Sequence, residues 1–123
     1  MVTKKDVCSL ESFEELSKKW ALRIIKSMFM GCKRFNDFLA AYEGTLSNRV
    51  LSDQLKRLEQ FGYIKKVVVS TSPLVAEYHL TEMGKDLNKI IYEQARFAEK
   101  YGLIDRKNPI FKGRSLEEIF DIE

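Results

Sequence analysis

Between Phe35 and Leu80 the apolar residues keep a helical period and then switch once to an extended one. Phe35, Phe38, Leu39 and Tyr42 stand at i, i+3, i+4 and i+7, one face of a short helix. Glu43-Gly44-Thr45 reads as a turn. A second helix opens at Ser47, a favoured N-cap residue, and runs to about Phe61, where Gly62 closes it. Leu51, Leu55 and Leu58 stack on one side of it. Arg49, Asp53, Lys56 and Arg57 point away from them, with Ser52 on the flank.

The extended part follows at once. Ile64 to Ser70 is rich in valine, and Val75 to Leu80 alternates strictly. Ala76, Tyr78 and Leu80 fall on one side and Val75, Glu77 and His79 on the other. Thr71-Ser72-Pro73-Leu74 supplies the turn, and the pre-set φ of Pro73 suits it. A two-stranded ribbon is marginal alone, so it has to lie on the helices. Two short helices, a tight turn and a polar face on the second helix make a helix-turn-helix. The ribbon makes it winged. The expected class is mainly α with a small β-ribbon: a winged helix-turn-helix with a long C-terminal dimerisation helix.

The flanks complete this plan. Ser12 and Glu15 form a capping box, and Phe13, Leu16, Trp20, Ile24 and Met28 continue as one apolar face up to Gly31. After the ribbon, Thr81 caps a helix expected to reach about Tyr101. Some 20 residues of helix span roughly 30 Å, about the width of a small domain. Its apolar side exceeds what one subunit covers, so Leu87, Ile90, Ile91, Gln94, Phe97, Ala98 and Tyr101 are the dimer-interface candidates. Tyr92, Phe97 and Tyr101 are also candidates for lining an effector pocket between subunits. Asn108-Pro109 marks a break, and Ser115-Leu116-Glu117-Glu118 is a second capping box. Residues 1–104 are expected to form the winged-helix and dimerisation domain, and 105–123 an extension with a short helix.

Composition excludes several alternatives. In 123 residues there is one histidine, and the two cysteines, Cys8 and Cys32, lack metal-type spacing. A closed zinc site within one chain is therefore not expected. No phosphate loop, nucleophile elbow or paired carboxylates appear, so neither catalysis nor a cofactor is expected. No apolar stretch approaches the roughly 18 residues of a membrane span. No apolar run follows Lys4 and Lys5, so no secretory signal is expected and the assigned compartment is the cytoplasm, with reduced thiols. The net charge is +3, and residues 33–66 carry seven cations against four carboxylates. The basic excess thus sits around the second helix, where a duplex would lie.

That helix, about 10–12 Å wide, fits a major groove about 12 Å wide. Ser47, Asn48, Arg49, Ser52, Asp53 and Gln54 are the base-reading candidates: Asn and Gln suit adenine, and Arg suits guanine. Lys33, Arg34, Lys56, Arg57, Lys65 and Lys66 are the phosphate candidates, which position the protein without reading sequence. The segments Lys19 to Ile25, Lys33 to Phe38, Leu46-Ser47, Leu51-Ser52, Leu55 to Glu59, Gly62-Tyr63-Ile64 and Glu77 to Gly84 resemble, in this order and spacing, the HxlR family of MarR-like winged-helix transcription regulators. The match runs from about Cys8 to Tyr101. The resemblance implies a homodimer on a pseudo-palindromic double-stranded operator. It also implies a cysteine just before the first helix, matched by Cys8, which in some members senses oxidants or electrophiles. Lys4 and Lys5 add positive charge nearby, which favours a thiolate. The chain departs from the family at Lys18, Gln54 and Val75, where members often carry Gly, Arg and Arg. The wing tip has no basic residue. The expected function is sequence-specific DNA binding under control of Cys8 oxidation or a small effector. The alternative is a winged-helix module that binds protein without reading an operator.

Overall fold

The computed structural model describes residues 11–123. In chain order the elements are α1 (Glu11–Glu15), α2 (Ala21–Phe29), α3 (Phe35–Ala41), α4 (Asn48–Gln60), β1 (Ile64–Thr71), β2 (Leu74–Leu80), α5 (Glu82–Lys85), α6 (Asn88–Lys100), a 3-10 turn (Pro109–Phe111) and α7 (Leu116–Ile119). The architecture is the expected one, mostly helical with a single two-stranded antiparallel sheet. α3 and α4 are the helix pair, and β1 and β2 are the wing.

The core explains the placement of α4. Leu51, Leu55 and Leu58 are fully buried with Ile24 and Ile25 of α2 and Phe38 of α3. Fully burying one such side chain contributes roughly 1.5–3 kcal/mol, so α4 is fixed by its leucine edge. Trp20 packs edge-on against Tyr42, centroids 5.1 Å apart, and Arg23 lies over its outer face. Leu116, Ile119 and Phe120 join the same core, with Phe120 edge-on to Phe29. Ser115 caps α7 as its sequence implies: its Oγ accepts from the Glu118 amide, and Glu118 Oε1 accepts from the Ser115 amide.

Two helices expected to be continuous are broken. The first divides into α1 and α2. The amides of Leu16, Ser17 and Lys18 bond three residues back, to Phe13, Glu14 and Glu15, which tightens the chain out of the α ladder. The helix resumes where Ile24 bonds Trp20. Trp20 and Ile24 are core as expected, but Phe13 is exposed. Glu15 does not turn back to cap α1; it points inward to α4. The long C-terminal helix also divides, at Asp86 and Leu87, leaving α6 with 13 residues and about 20 Å of length.

The cause of that second break is local. Thr81 caps α5 as expected, its Oγ accepting from the Gly84 amide at 3.2 Å. The same hydroxyl donates to the Gly62 carbonyl, and the Thr81 amide donates to Tyr63 O at 3.1 Å. Gly84 is thereby pressed on Tyr63 O so closely that a Cβ would stand 2.1 Å from it. The next turn tightens, Leu87 bonding Gly84 O, and Leu87 swings into the core.

The wing is antiparallel, with Ile64 opposite Leu80 and Lys66 opposite Tyr78, and a bulge between Val68 and Ser70. Tyr78 and Leu80 pack on the core, as expected of that side of β2, but Val75 to Leu80 are all half-buried, because Glu77 on the other side is covered by Lys33, Arg34 and His79. The Tyr78 amide also donates to Lys33 O at 2.6 Å, tying β2 to the approach to α3.

Candidate nucleic-acid interface

The helix pair is locked before any surface residue is considered. Asp37 Oδ2 accepts the backbone N–H of Lys33 at 3.1 Å and of Arg34 at 3.0 Å. These two bonds, against some burial, hold its carboxyl below the usual carboxylate range. Tyr42 closes α3; its hydroxyl donates to Arg23 O at 2.9 Å and accepts from Ser27 Oγ at 3.0 Å. Ser47 Oγ accepts from the Val50 amide at 3.2 Å, which starts α4 where the sequence placed it.

Five of the six base-reading candidates then share one outward face. Ser47, Asn48, Arg49 and Asp53 are exposed and Ser52 is half-buried, with Lys56 exposed one turn further on. Among the described residues, the side chains of Asn48, Arg49, Ser52, Asp53 and Lys56 have no hydrogen bond or ion pair within the chain.

Gln54 is the exception, and the expectation that it reads a base is corrected. It is 7% exposed, and its Nε2 donates to Glu15 Oε1 at 3.0 Å. Its place at i+3 from Leu51 and i−4 from Leu58 sets it on the buried edge. Arg57, a phosphate candidate, is exposed, and its Nε donates to that same oxygen at 3.0 Å, so one side of its guanidinium is engaged within the chain. Lys18 Nζ reaches the other Glu15 oxygen at 3.3 Å. Burial works against ionisation of Glu15, yet the bonds from Arg57, Gln54 and Lys18 together outweigh it and lower its pKa. Sequence reading missed Glu15, because its partners lie about 40 positions along the chain.

The remaining phosphate candidates divide. Lys33 and Arg34 face Glu77 Oε2 at 3.6 and 3.5 Å, while His79 Nε2 meets Oε1 at 3.1 Å. The His79 bond foremost, and then Lys33 and Arg34, hold the Glu77 carboxyl low. Lys65 and Lys66 stand exposed at the wing base, opposite His79 and Tyr78. Beyond them the wing is uncharged, and Val68, Val69 and Leu74 are exposed.

The dimer candidates divide too. Leu87 and Ile91 are buried in their own subunit's core, so neither is available to a partner, a correction to the expected interface. Tyr92 is buried as well, its hydroxyl donating to Glu117 Oε1 at 2.8 Å. Ile90, Gln94, Phe97 and Tyr101 remain on the outer side of α6, with Phe97 and Tyr101 60% and 61% exposed. Ala98 is half-buried beside a cavity of about 620 Å³ between α2, α6 and the C-terminal segment. Tyr92, Phe97 and Tyr101 do not line that cavity.

Cys8 lies outside the described residues. Cys32 is half-buried beside Asp37 O, and burial foremost, with Asp37 adding to it, pushes its thiol up. That suits a cysteine held by packing. Among the described residues no group of three or more His, Cys, Asp or Glu is arranged to hold a metal ion.

The profile of the HxlR-like helix-turn-helix family matches residues 15–106. YvaP of Bacillus subtilis strain 168, an uncharacterised HTH-type transcriptional regulator, is 40% identical over 86 residues, 70% of this chain and 79% of that protein. Among solved structures, the reduced form of the transcriptional regulator YodB from B. subtilis superposes with a TM-score of 0.62 at 29% identity. It covers 82% of this chain and 95% of its own. The redox regulator HypR in its oxidised form gives 0.65 at 31% identity, over 71% of this chain and 89% of its own.

Proposed function

Because the chain belongs to the HxlR-like helix-turn-helix family, a family of transcriptional regulators, we propose that it reads double-stranded DNA with α4 as a homodimer. One observation carries this reading. The solvent side of α4, from Asn48 to Lys56, presents short polar side chains, one arginine and one lysine with no partner among the described residues. Arg49 suits guanine and Asn48 suits adenine in a major groove. Lys56, Lys65 and Lys66 take phosphates on either side. The exposed stripe Ile90, Phe97 and Tyr101 lies outside the subunit's own core and supports a second subunit. A two-fold axis there would set two α4 helices about 34–36 Å apart on a pseudo-palindrome. Oxidation at Cys8 is the proposed trigger that release or binding would follow, and HypR's description as a redox regulator supports it. A small effector is the other proposed trigger.

The apolar, uncharged tip of the wing supports a second reading, a module that binds protein through Val68, Val69 and Leu74. Fluorescence anisotropy separates the two. The reduced protein is titrated onto the DNA upstream of its own gene and onto unrelated duplex, across a salt series. Selective binding with a log–log salt slope of about −0.9 per phosphate contact is expected. Arg49→Ala should weaken it at least about tenfold, the cost of a lost base contact, while Lys107→Ala leaves it unchanged. Equal effects of the two substitutions would reject α4 as the docking face, and duplex binding without preference at any salt would favour the protein-binding module.

A further inference from the structure

Glu15 is a buried carboxylate for which DNA reading as proposed has no direct use. It is 2% exposed, and three donors converge on it. Two of them, Gln54 and Arg57, come from successive turns of α4. A charge taken out of water at such a place is costly unless its partners are complete. Here they are complete, and they belong to the helix that carries Arg49, Asp53 and Lys56.

Among the described residues, the helix that supplies Glu15 is held at Glu15 itself and through Leu16 next to it, which packs on the core. α1 is five residues long, far below the length at which a helix stands alone, and Phe13 on it is exposed. The Glu15 contact therefore fastens α1 to the inner edge of α4, and reciprocally fixes how α4 is rotated about its leucine anchor. It has an electrostatic effect as well. Arg57, on the flank of the reading face and 48% exposed, is engaged by Glu15 through Nε, so a buried carboxylate beside it offsets the charge it would offer a phosphate.

We infer that Glu15 is a positioning residue that sets the specificity of DNA reading: it orients α4 through Gln54 and keeps the Arg57 cation off the DNA backbone. This inference rests on the DNA-reading proposal. Without Glu15, Arg57 becomes a free cation that adds affinity for every sequence alike, and α4 loses the polar contacts that hold its inner edge to α1. Discrimination falls while non-specific binding rises.

The test has one arm without DNA and one with it. In ¹⁵N NMR, the Arg57 Nε–H of the wild-type protein should be protected from exchange, and Glu15→Ala, which removes the acceptor, should abolish that protection. An unprotected wild-type signal overturns the inference whether or not the protein binds DNA, and whether or not the variant folds. In the second arm, duplexes selected by the wild-type protein from a random library are compared with scrambled ones. Glu15→Gln should steepen the salt slope by about 0.9 for each subunit, as one more phosphate contact forms. The selected-to-scrambled affinity ratio should fall about tenfold, comparable to one mismatched base pair. Glu15→Gln combined with Arg57→Gln should restore the slope. An unchanged slope and ratio, with only a lower melting temperature, would make Glu15 merely structural and overturn the inference. If the wild-type protein selects no duplex, it is the DNA-reading proposal that fails, and the specificity claim built on it fails too, while the NMR arm still decides the contact.

Discussion

At the scale of single residues, two carboxylates fasten the reading module, and both are held ionised. Asp37 holds the start of α3 through two backbone N–H groups, and Glu15 holds α4. Their folded pKa values lie below the ordinary 3.8 and 4.5. A depressed carboxyl stabilises the fold above its unfolded pKa, and that contribution is lost as pH falls through the folded value. The melting temperature should therefore hold from pH 7 down to about 5 and fall steeply below about 4. Asp37→Asn, which keeps an acceptor oxygen but cannot titrate, should flatten that acid limb. A melting curve whose acid slope is the same in both proteins would show that Asp37 takes no part. The Ser47 cap and the leucine edge of α4 were legible in the sequence, because both depend on neighbours within one or two turns. Gln54 was misread although its spacing from Leu51 and Leu58 carried the signal. Polarity was weighed above position, and its partner Glu15 sits in a segment with no periodic relation to α4.

At the scale of elements, α5 is seated on the turn between α4 and β1 by a knot of backbone contacts at one glycine. Gly84 leaves room for Tyr63 O, the carbonyl that also receives the Thr81 amide. Gly84→Ala would gain a little helix propensity in a free helix, less than about 1 kcal/mol. Here the new Cβ meets backbone rather than the end of a flexible side chain, so α5 must shift. The shift should cost about 1–3 kcal/mol, the usual range for overpacking, and outweigh the propensity gain. Chemical denaturation at pH 7 would measure it, and a variant as stable as the parent would show that α5 gives way freely. This packing also explains why the helix break at Asp86 and Leu87 was invisible in the sequence. Thr81 was readable as a cap, but the apolar positions from Met83 to Ile91 continue at helical spacing across the break. The periodicity survives a tightened turn, so it cannot report one. The same holds between Leu16 and Trp20, where the stripe runs on through three-residue bonds.

For the whole molecule, the break in the C-terminal helix decides which apolar residues remain for a partner. Had the helix been straight, Leu87 and Ile91 would belong to the outer stripe with Ile90 and Phe97. Instead they fill the subunit's core, and the outer stripe narrows to Ile90, Gln94, Phe97 and Tyr101. Phe97 and Tyr101 meet at a tilt of 48°, centroids 5.1 Å apart, and form an exposed aromatic pair at the end of α6. In a two-fold interface every residue acts twice, so one substitution removes two contributions. Burying an aromatic ring contributes roughly 1.5–3 kcal/mol, so Phe97→Asp should weaken the dimer by at least about a hundredfold. The core that holds each subunit does not include Phe97, so far-UV circular dichroism should be unchanged. Sedimentation velocity at micromolar concentration should then show a folded monomer for the variant and the proposed dimer for the parent. DNA affinity should drop in the same variant, because a single α4 reads only one half-site. A variant that remains dimeric would place the two-fold axis on another surface and leave the Phe97–Tyr101 pair free for a different partner.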